Sequence, residues 1–300
     1  MDILVAIDGS PHADRALAWA LREAALRSAS VRVLHAFRVH EFAGAFGSDV
    51  SLDKERAEAI EVAEASLARV ASERTSADTV EIQTTAVTGR GAADAILRHR
   101  GEADLIVVGS RGLGGFPSLL LGSVSHQVAA HADVPVAVIP TSSISRPDHD
   151  GARSIVVGVD GSPASVHALQ WGLGEARARG ASLTAVYAYK TLRDGAPFDA
   201  FASIEQSQLD ELEKHATETA LRKLDTLIAD AGDSSDLTID RRVTPGTPAK
   251  VLTSDAADED TLLVVGSRGR GGFRGLLLGS VSQQCLHHAR GPVVVTPADD

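Results

Sequence analysis

The chain is one unit written twice. Val5-Ala-Ile-Asp8-Gly-Ser-Pro11 returns as Val157-Gly-Val-Asp160-Gly-Ser-Pro163 at an offset of 152 residues, and Ala16/Ala168, Leu17/Leu169, Trp19/Trp171, Leu21/Leu173 and Glu23/Glu175 keep that offset. Further on, Gly89/Gly246, two glycine-rich loops, and Val134-Pro-Val136 against Gly291-Pro-Val293 align at an offset of 157. The change from 152 to 157 is a five-residue insertion in the second copy, between its second strand and its second long helix. A duplicated unit folds as two similar domains. The expected division is 1–141 and 153–300, with a linker at 142–152, because the stretch from Pro140 to Arg153 is polar, carries proline and has no periodicity.

Inside each copy, apolar β-branched runs alternate with helical patterns. In the first copy strands are predicted at 2–8, 31–37, 80–87, 104–109 and 135–139. Ser10-Pro11 opens a helix with Ala16, Leu17, Ala20, Leu21 and Ala24 on one face. Further helices are predicted at about 51–74 (Ile60, Leu67 and Val70 inward), 91–100 and 123–132. In the second copy Ser203-Ile-Glu-Gln206 reads as a capping box before a helix whose inward stripe is Leu212, Ala216, Ala220, Leu224 and Leu227. Near-continuously apolar strands separated by helices imply α/β architecture: two tandem doubly wound domains, each a parallel sheet with helices on both faces.

The formal net charge of −11 disfavours nucleic acid and anionic membranes as general partners. A single cysteine, Cys285, excludes an intramolecular disulfide and a multi-cysteine metal site, and its apolar helical setting favours a buried small hydrophobe over a reactive thiol. No apolar run approaches the ~18 residues of a membrane span. The opening Asp2-Ile-Leu-Val has no basic segment before it, so a cytoplasmic protein is the expectation.

Function is read from the two glycine loops. Each follows an apolar run, Leu105–Val108 or Leu262–Val265, and leads into a helix. Such a loop offers bare backbone N–H groups to a polyphosphate. Gly109, Gly112, Gly114 and Gly115 permit positive φ and close backbone approach. Ser123 and Val124 place amides, and Ser123 a hydroxyl, at a helix N-terminus. Arg111 either meets phosphate or points to solvent. Asp8 and Asp160, at the ends of first strands, are each either a ligand to a base or metal or a helix N-cap. If the first and fourth strands are neighbours at the topological switch point, aspartate and loop face one crevice. The lysine-containing phosphate loop is absent, and the dinucleotide glycine signature is a different loop.

Gly, two residues, Gly, nine residues, Gly-Ser occurs once per half, at Gly109/Gly112/Gly122/Ser123 and Gly266/Gly269/Gly279/Ser280. Together with V-x-x-D-G-S at Asp8 and Asp160, and with Gly89 and Gly246, this resembles the universal stress protein family, tandem-domain type, over nearly the whole chain. The resemblance implies a five-stranded parallel sheet in the order 3-2-1-4-5 in each half, and ATP held with the aspartate near adenine and the Gly-Ser loop around the phosphates. Site one would then comprise Asp8, Gly9, Gly89, Gly109, Ser110, Arg111, Gly112, Leu113, Gly114, Gly115, Gly122, Ser123 and Val124. Site two would comprise Asp160, Gly161, Gly246, Gly266, Ser267, Arg268, Gly269, Arg270, Gly271, Gly272, Gly279, Ser280 and Val281. Mg²⁺ is expected only as a companion of ATP. The resemblance also implies pairing through the final strands, 135–139 and 292–295, between the two halves and again between chains as a homodimer. The loops at 38–50 and 190–203 differ, so the two base pockets need not be equivalent.

The implied function is an ATP-binding regulator of stress response, growth or survival. A slow ATPase, or a binder of another adenine nucleotide such as a cyclic nucleotide, is the alternative. Efficient catalysis is not expected, since no carboxylate pair, Ser/His/Asp order or metal-spaced histidine set recurs in both copies. His12 faces Ala164 across the repeat and His35 faces Tyr187, while His131 and His288 correspond but fall at helix ends.

Overall fold

The computed structural model describes residues 1–37, 48–72, 80–113, 121–141, 154–189, 206–270 and 277–298. The first half runs β1 (Asp2–Ile7), α1 (Pro11–Arg27), β2 (Ser30–Phe37), α2 (Ser48–Ser72), β3 (Ile82–Thr88), α3 (Ala92–Arg98), β4 (Leu105–Gly109), α4 (Ser123–His131) and β5 (Val136–Ile139). The second half repeats the series as β6 (Ser154–Gly158), α5 (Pro163–Arg179), β7 (Ser182–Tyr189), α6 (Gln206–Ala231), β8 (Ile239–Pro245), α7 (Pro248–Asp255), β9 (Thr261–Gly266), α8 (Ser280–His288) and β10 (Val293–Thr296). The proposed linker, the loops following β2 and β7, Ser203–Glu205 of the predicted capping box, and Gly114, Gly115, Gly271 and Gly272 lie outside the described residues.

The sheet order is β3-β2-β1-β4-β5-β10-β9-β6-β7-β8. Each half therefore has the order 3-2-1-4-5, and every pairing within a half is parallel. Val5 lies between Val33 and Val107, and Val157 between Ala185 and Val264. The central strands are apolar at every step because both faces are covered. Ile3, Val5, Leu105 and Val107 pack under α1, whereas Leu4, Ile106 and Val108 pack with Ile96 of α3 and Val128 of α4.

At the seam β5 and β10 run antiparallel, with Val138 opposite Val293, Ala137 opposite Val294 and Val136 opposite Val295. The two halves thus pair through their last strands, as expected. A homodimer through those same strands is not possible in this arrangement. Each last strand is hydrogen-bonded on both sides inside one chain, β5 between β4 and β10, and β10 between β5 and β9, which leaves no free edge.

Local sequence explains the helix ends. Ser10 Oγ accepts from the Ala13 amide at 3.1 Å and Ser162 Oγ from the Ser165 amide at 3.3 Å, each followed by proline at the first helical position. Ala16, Leu17, Ala20, Leu21 and Ala24 are buried, as the periodicity predicts. The stripe of α6 differs from its prediction. Leu212 and Ala216 are exposed, and the covered face runs instead through Leu209, Thr217, Ala220, Leu224 and Ile228. Tyr189 Oη lies 2.8 Å from Thr217 Oγ1, so this face also carries a polar contact to the end of β7. In α2 the buried face is centred on Ala59, Ala63, Ser66 and Val70, with Ile60 and Leu67 at its margin. Cys285 is fully buried, and burial pushes its thiol up to about 12. No described helix is long and apolar enough to cross a membrane.

Where α1 and α5 meet across the seam, four charged side chains close a buried ring. Arg27 pairs with Glu175, and with Glu23 at 3.3 Å; Arg179 pairs with Glu23, and with Glu175 at 3.1 Å. Glu23 and Glu175 are 2% and 1% exposed, so these charges have left water. The Arg27 guanidinium also lies 5.8 Å from the ring centroid of Trp171.

Candidate functional site

The parallel order puts β1 beside β4 and β6 beside β9. Each aspartate therefore reaches the same sheet end as the first glycine of its loop, at the point where strand order reverses. What the aspartates do there is neither a helix cap nor a free ligand. Asp8 Oδ1 accepts from the Ser10 amide at 3.0 Å, and its Oδ2 accepts from the Leu113 amide at 2.7 Å. Asp160 repeats this with the Ser162 amide at 2.8 Å and the Arg270 amide at 2.9 Å. The capping task has passed to Ser10 and Ser162, and each carboxylate clamps the glycine loop to the end of the first strand.

That clamp dictates the second loop glycine. A Cβ on Gly112 would stand 2.3 Å from Asp8 Oδ2, and one on Gly269 would stand 2.6 Å from Asp160 Oδ2. Positive φ falls at Gly9 (79°) and Gly161 (80°), directly after each aspartate, and at Gly246 (139°), whereas Gly109 and Gly112 serve by close approach. Gly89 and Gly246 also act as spacers, since a Cβ would stand 2.9 Å from the Ala95 backbone or 3.2 Å from Val251.

The loop is tied back at its far end. The Gly122 amide donates to Ser110 O at 2.7 Å and Ser125 Oγ to Gly109 O at 2.6 Å. Gly279 and Ser282 make the matching bonds to Ser267 O at 2.7 Å and Gly266 O at 2.6 Å. Ser110 and Ser267 are buried and donate their amides to Ile139 O and Thr296 O, so these two predicted site residues are scaffold. The result is that α4 and α8 begin beside the carboxyl ends of β4 and β9. Among the described residues no side chain caps either helix, so the first amides of α4 and α8, including those of Ser123, Val124, Ser280 and Val281, are without a capping side chain, and Ser280 and Val281 line a crevice.

In the second half this crevice is a cavity of about 580 Å³, within the roughly 300–1,000 Å³ usual for small-molecule sites. Arg268, Gly269, Arg270, Gly279, Ser280 and Val281 form one wall, and Val186, Ala188, Pro248, Leu252 and Val265 form an apolar wall opposite. The apolar wall, and the Ser125 and Ser282 hydroxyls, were missed by motif reading. The topology carried the signal, because β7 ends next to the switch point and α7 starts above it. Burial pushes the Asp160 carboxyl up, but donors from Ser162, Arg270 and Ser165 outweigh it and hold the group below the usual carboxylate range. Among the described residues, no three His, Cys, Asp or Glu side chains gather to hold a metal.

Two histidines flank Asp8. Burial lowers His12, with Arg15 and Arg111 adding to the effect against Asp8; burial also lowers His35, against Asp8 and a hydrogen bond to the Ile7 backbone. Both are held neutral relative to an unfolded histidine, so the folded state takes up protons at lower pH than the unfolded chain. Stability is therefore fully present above about 6.5, the ordinary value, and is lost as pH falls below it through the depressed values. The melting temperature is expected to fall between about pH 7.5 and 5.5. Installing the second half's residues, His12→Ala with His35→Tyr, flattens that slope; an unchanged slope would contradict the assignment.

Comparison with known proteins agrees with this architecture. The universal stress protein family profile matches residues 1–140 and again 151–297. A universal stress protein of Mycolicibacterium smegmatis is 33% identical over 299 residues, covering 98% of this chain and 96% of the relative. One of Mycobacterium tuberculosis is 32% identical over 305 residues, with 98% and 96% covered. Among solved structures, a universal stress protein from Archaeoglobus fulgidus superposes with a TM-score of 0.68 at 20% identity, covering 100% of this chain and 97% of its own. The chain belongs to the universal stress protein family, with two of its domains in tandem.

Proposed function

We propose that each half binds ATP, with the glycine loop and the N-terminus of α4 or α8 around the phosphates and the base near the Asp8 or Asp160 clamp. The observation that carries this reading is the pair of uncapped helix N-termini at the switch point, each fixed there by a glycine amide and a serine hydroxyl. Backbone amides and a helix dipole suit an anion, and the apolar wall of Val186, Ala188 and Leu252 suits a flat base. The residues thus fit the group. ATP would supply a polyanionic tail and a stackable ring; the chain supplies amides, Arg111 or Arg268, and a walled cavity.

The same geometry argues for a nucleotide-dependent regulator rather than an efficient enzyme. Phosphoryl transfer needs an oriented nucleophile and neutralised charge beyond a cradle. Each oxygen of Asp8 and of Asp160 accepts from one backbone amide, which holds the carboxylate in place and leaves its remaining lone pairs for a donor on the base. Mg²⁺ is assigned to the nucleotide, not to a protein cage. Family membership supports stress response, growth or survival as the output of such a switch.

Denaturing the purified protein and chromatographing the supernatant tests this reading. ATP near two per chain is expected. A cyclic monophosphate in the extract, or an empty extract from protein preloaded with ATP, would contradict it.

A further inference from the structure

The two clefts differ at the glycine that follows each aspartate. A Cβ on Gly161 would fall 2.8 Å from Arg270 Nη2 and 3.2 Å from Lys223 Cε, whereas one on Gly9 would meet Val62 Cγ1 at 2.8 Å. The turn in the second half thus lies beneath two cations, and the turn in the first beneath an apolar side chain. Both cations are held in place. The Arg270 amide donates to Asp160 Oδ2 at 2.9 Å and its Nη2 to Gly161 O at 3.3 Å. Lys223 Nζ donates to Tyr187 Oη at 3.2 Å and to Asp160 O at 3.4 Å, and sits 4.9 Å from the Tyr187 ring centroid.

The first half has Leu113 in place of Arg270, with 74% of that residue exposed, and His35 in place of Tyr187. Its polar groups are also less settled. His12 Nδ1, His35 Nδ1 and Arg111 Nε are buried without a hydrogen-bond partner among the described residues.

We infer that the clefts are unequal: the second is the tighter polyphosphate site, and Arg270, where the first half carries Leu113, is the residue that sets the difference. This deepens the nucleotide reading above and rests on it. Arg270 lines the cavity, its Nη2 bond to Gly161 O holds the guanidinium at the cleft, and its fork can hold two phosphate oxygens. Lys223 strengthens the same positive field from α6. A ligand entering the first cleft gains no charge from Leu113. The advantage of the second cleft therefore grows with the number of phosphates and shrinks with salt.

Titrating ATP and AMP into Gly122→Glu and Gly279→Glu proteins reads the second and first clefts separately. A two-site fit to the wild-type chain guards against distortion by either variant. ATP is expected to bind roughly ten-fold tighter in the second cleft. Arg270→Leu should cut that ratio to about two- or three-fold with little effect on AMP, and Leu113→Arg should raise ATP affinity in the first cleft by a similar factor. Equal ATP affinities, or an Arg270→Leu effect shared by AMP, overturn this inference and leave nucleotide binding standing. ATP binding in neither cleft overturns both.

Discussion

Gly122→Glu combined with Gly279→Glu is expected to abolish ATP binding while leaving the fold intact. Both glycines are N-caps, and a Cβ there would stand 3.3 Å from Ser110 O or Ser267 O, a contact that small shifts relieve. The added carboxylate then occupies the amide-lined mouth of the crevice. A negative side chain at a helix N-terminus is favourable by about 0.3–1 kcal/mol, so α4 and α8 are retained. The same charge competes for the amides and repels phosphate, and like charges held together cost several kcal/mol, roughly a hundred-fold or more in affinity. Each single variant should keep one equivalent of nucleotide per chain. Unaltered circular dichroism with no nucleotide is the expected outcome for the double variant; ATP retained at wild-type affinity would show that the phosphates lie elsewhere.

The largest effect on stability is expected at the buried ring between α1 and α5. Arg179→Ala leaves Glu23 and Glu175 facing each other, 2% and 1% exposed, with only Arg27 between them. Removing one partner of a buried ion pair typically costs about 3–5 kcal/mol, because the charge left behind is neither solvated nor paired. Glu175→Ala should cost a similar amount by stranding Arg27 and Arg179. Replacing all four by apolar residues of similar volume should restore most of the loss, since such exchanges are often neutral or stabilising by about 1–4 kcal/mol. Urea denaturation of the three proteins measures this. A loss below about 1 kcal/mol for Arg179→Ala would mean that the ring is reached by water.

The contrast between those two regions shows what the sequence could reveal. The glycine loops were legible because the chemistry needs a fixed local spacing, and the repeat supplied a second copy of that spacing. Strand alternation, the Ser-Pro helix starts and the 3-2-1-4-5 order followed from local pattern or family resemblance. The charged ring was invisible, because Arg27 reaches a partner 148 positions away and Arg179 one 156 positions away. The sequence puts Asp8 and Asp160 at the ends of first strands, but it does not show that they clamp the loops. Only the folded loop shows that the Leu113 and Arg270 amides arrive within 2.9 Å of the carboxylate oxygens. The stripe of α6 was misread for a related reason. The stripe through Leu212 shares Ala220 and Leu224 with the true one, but the face against the sheet takes in Leu209, Thr217 and Ile228 and leaves Leu212 exposed. Pairing of the halves through their last strands, implied by the resemblance, is what the β5–β10 ladder shows, and that ladder leaves those strands no edge for a second chain.

Equilibrium dialysis of ATP against protein stripped of ligand by unfolding and refolding tests the central claim most directly. Two equivalents bound per folded chain, each removed by the glycine substitution in its own half, is the predicted result. Saturation at zero, or a full two equivalents bound by the double variant, would contradict it.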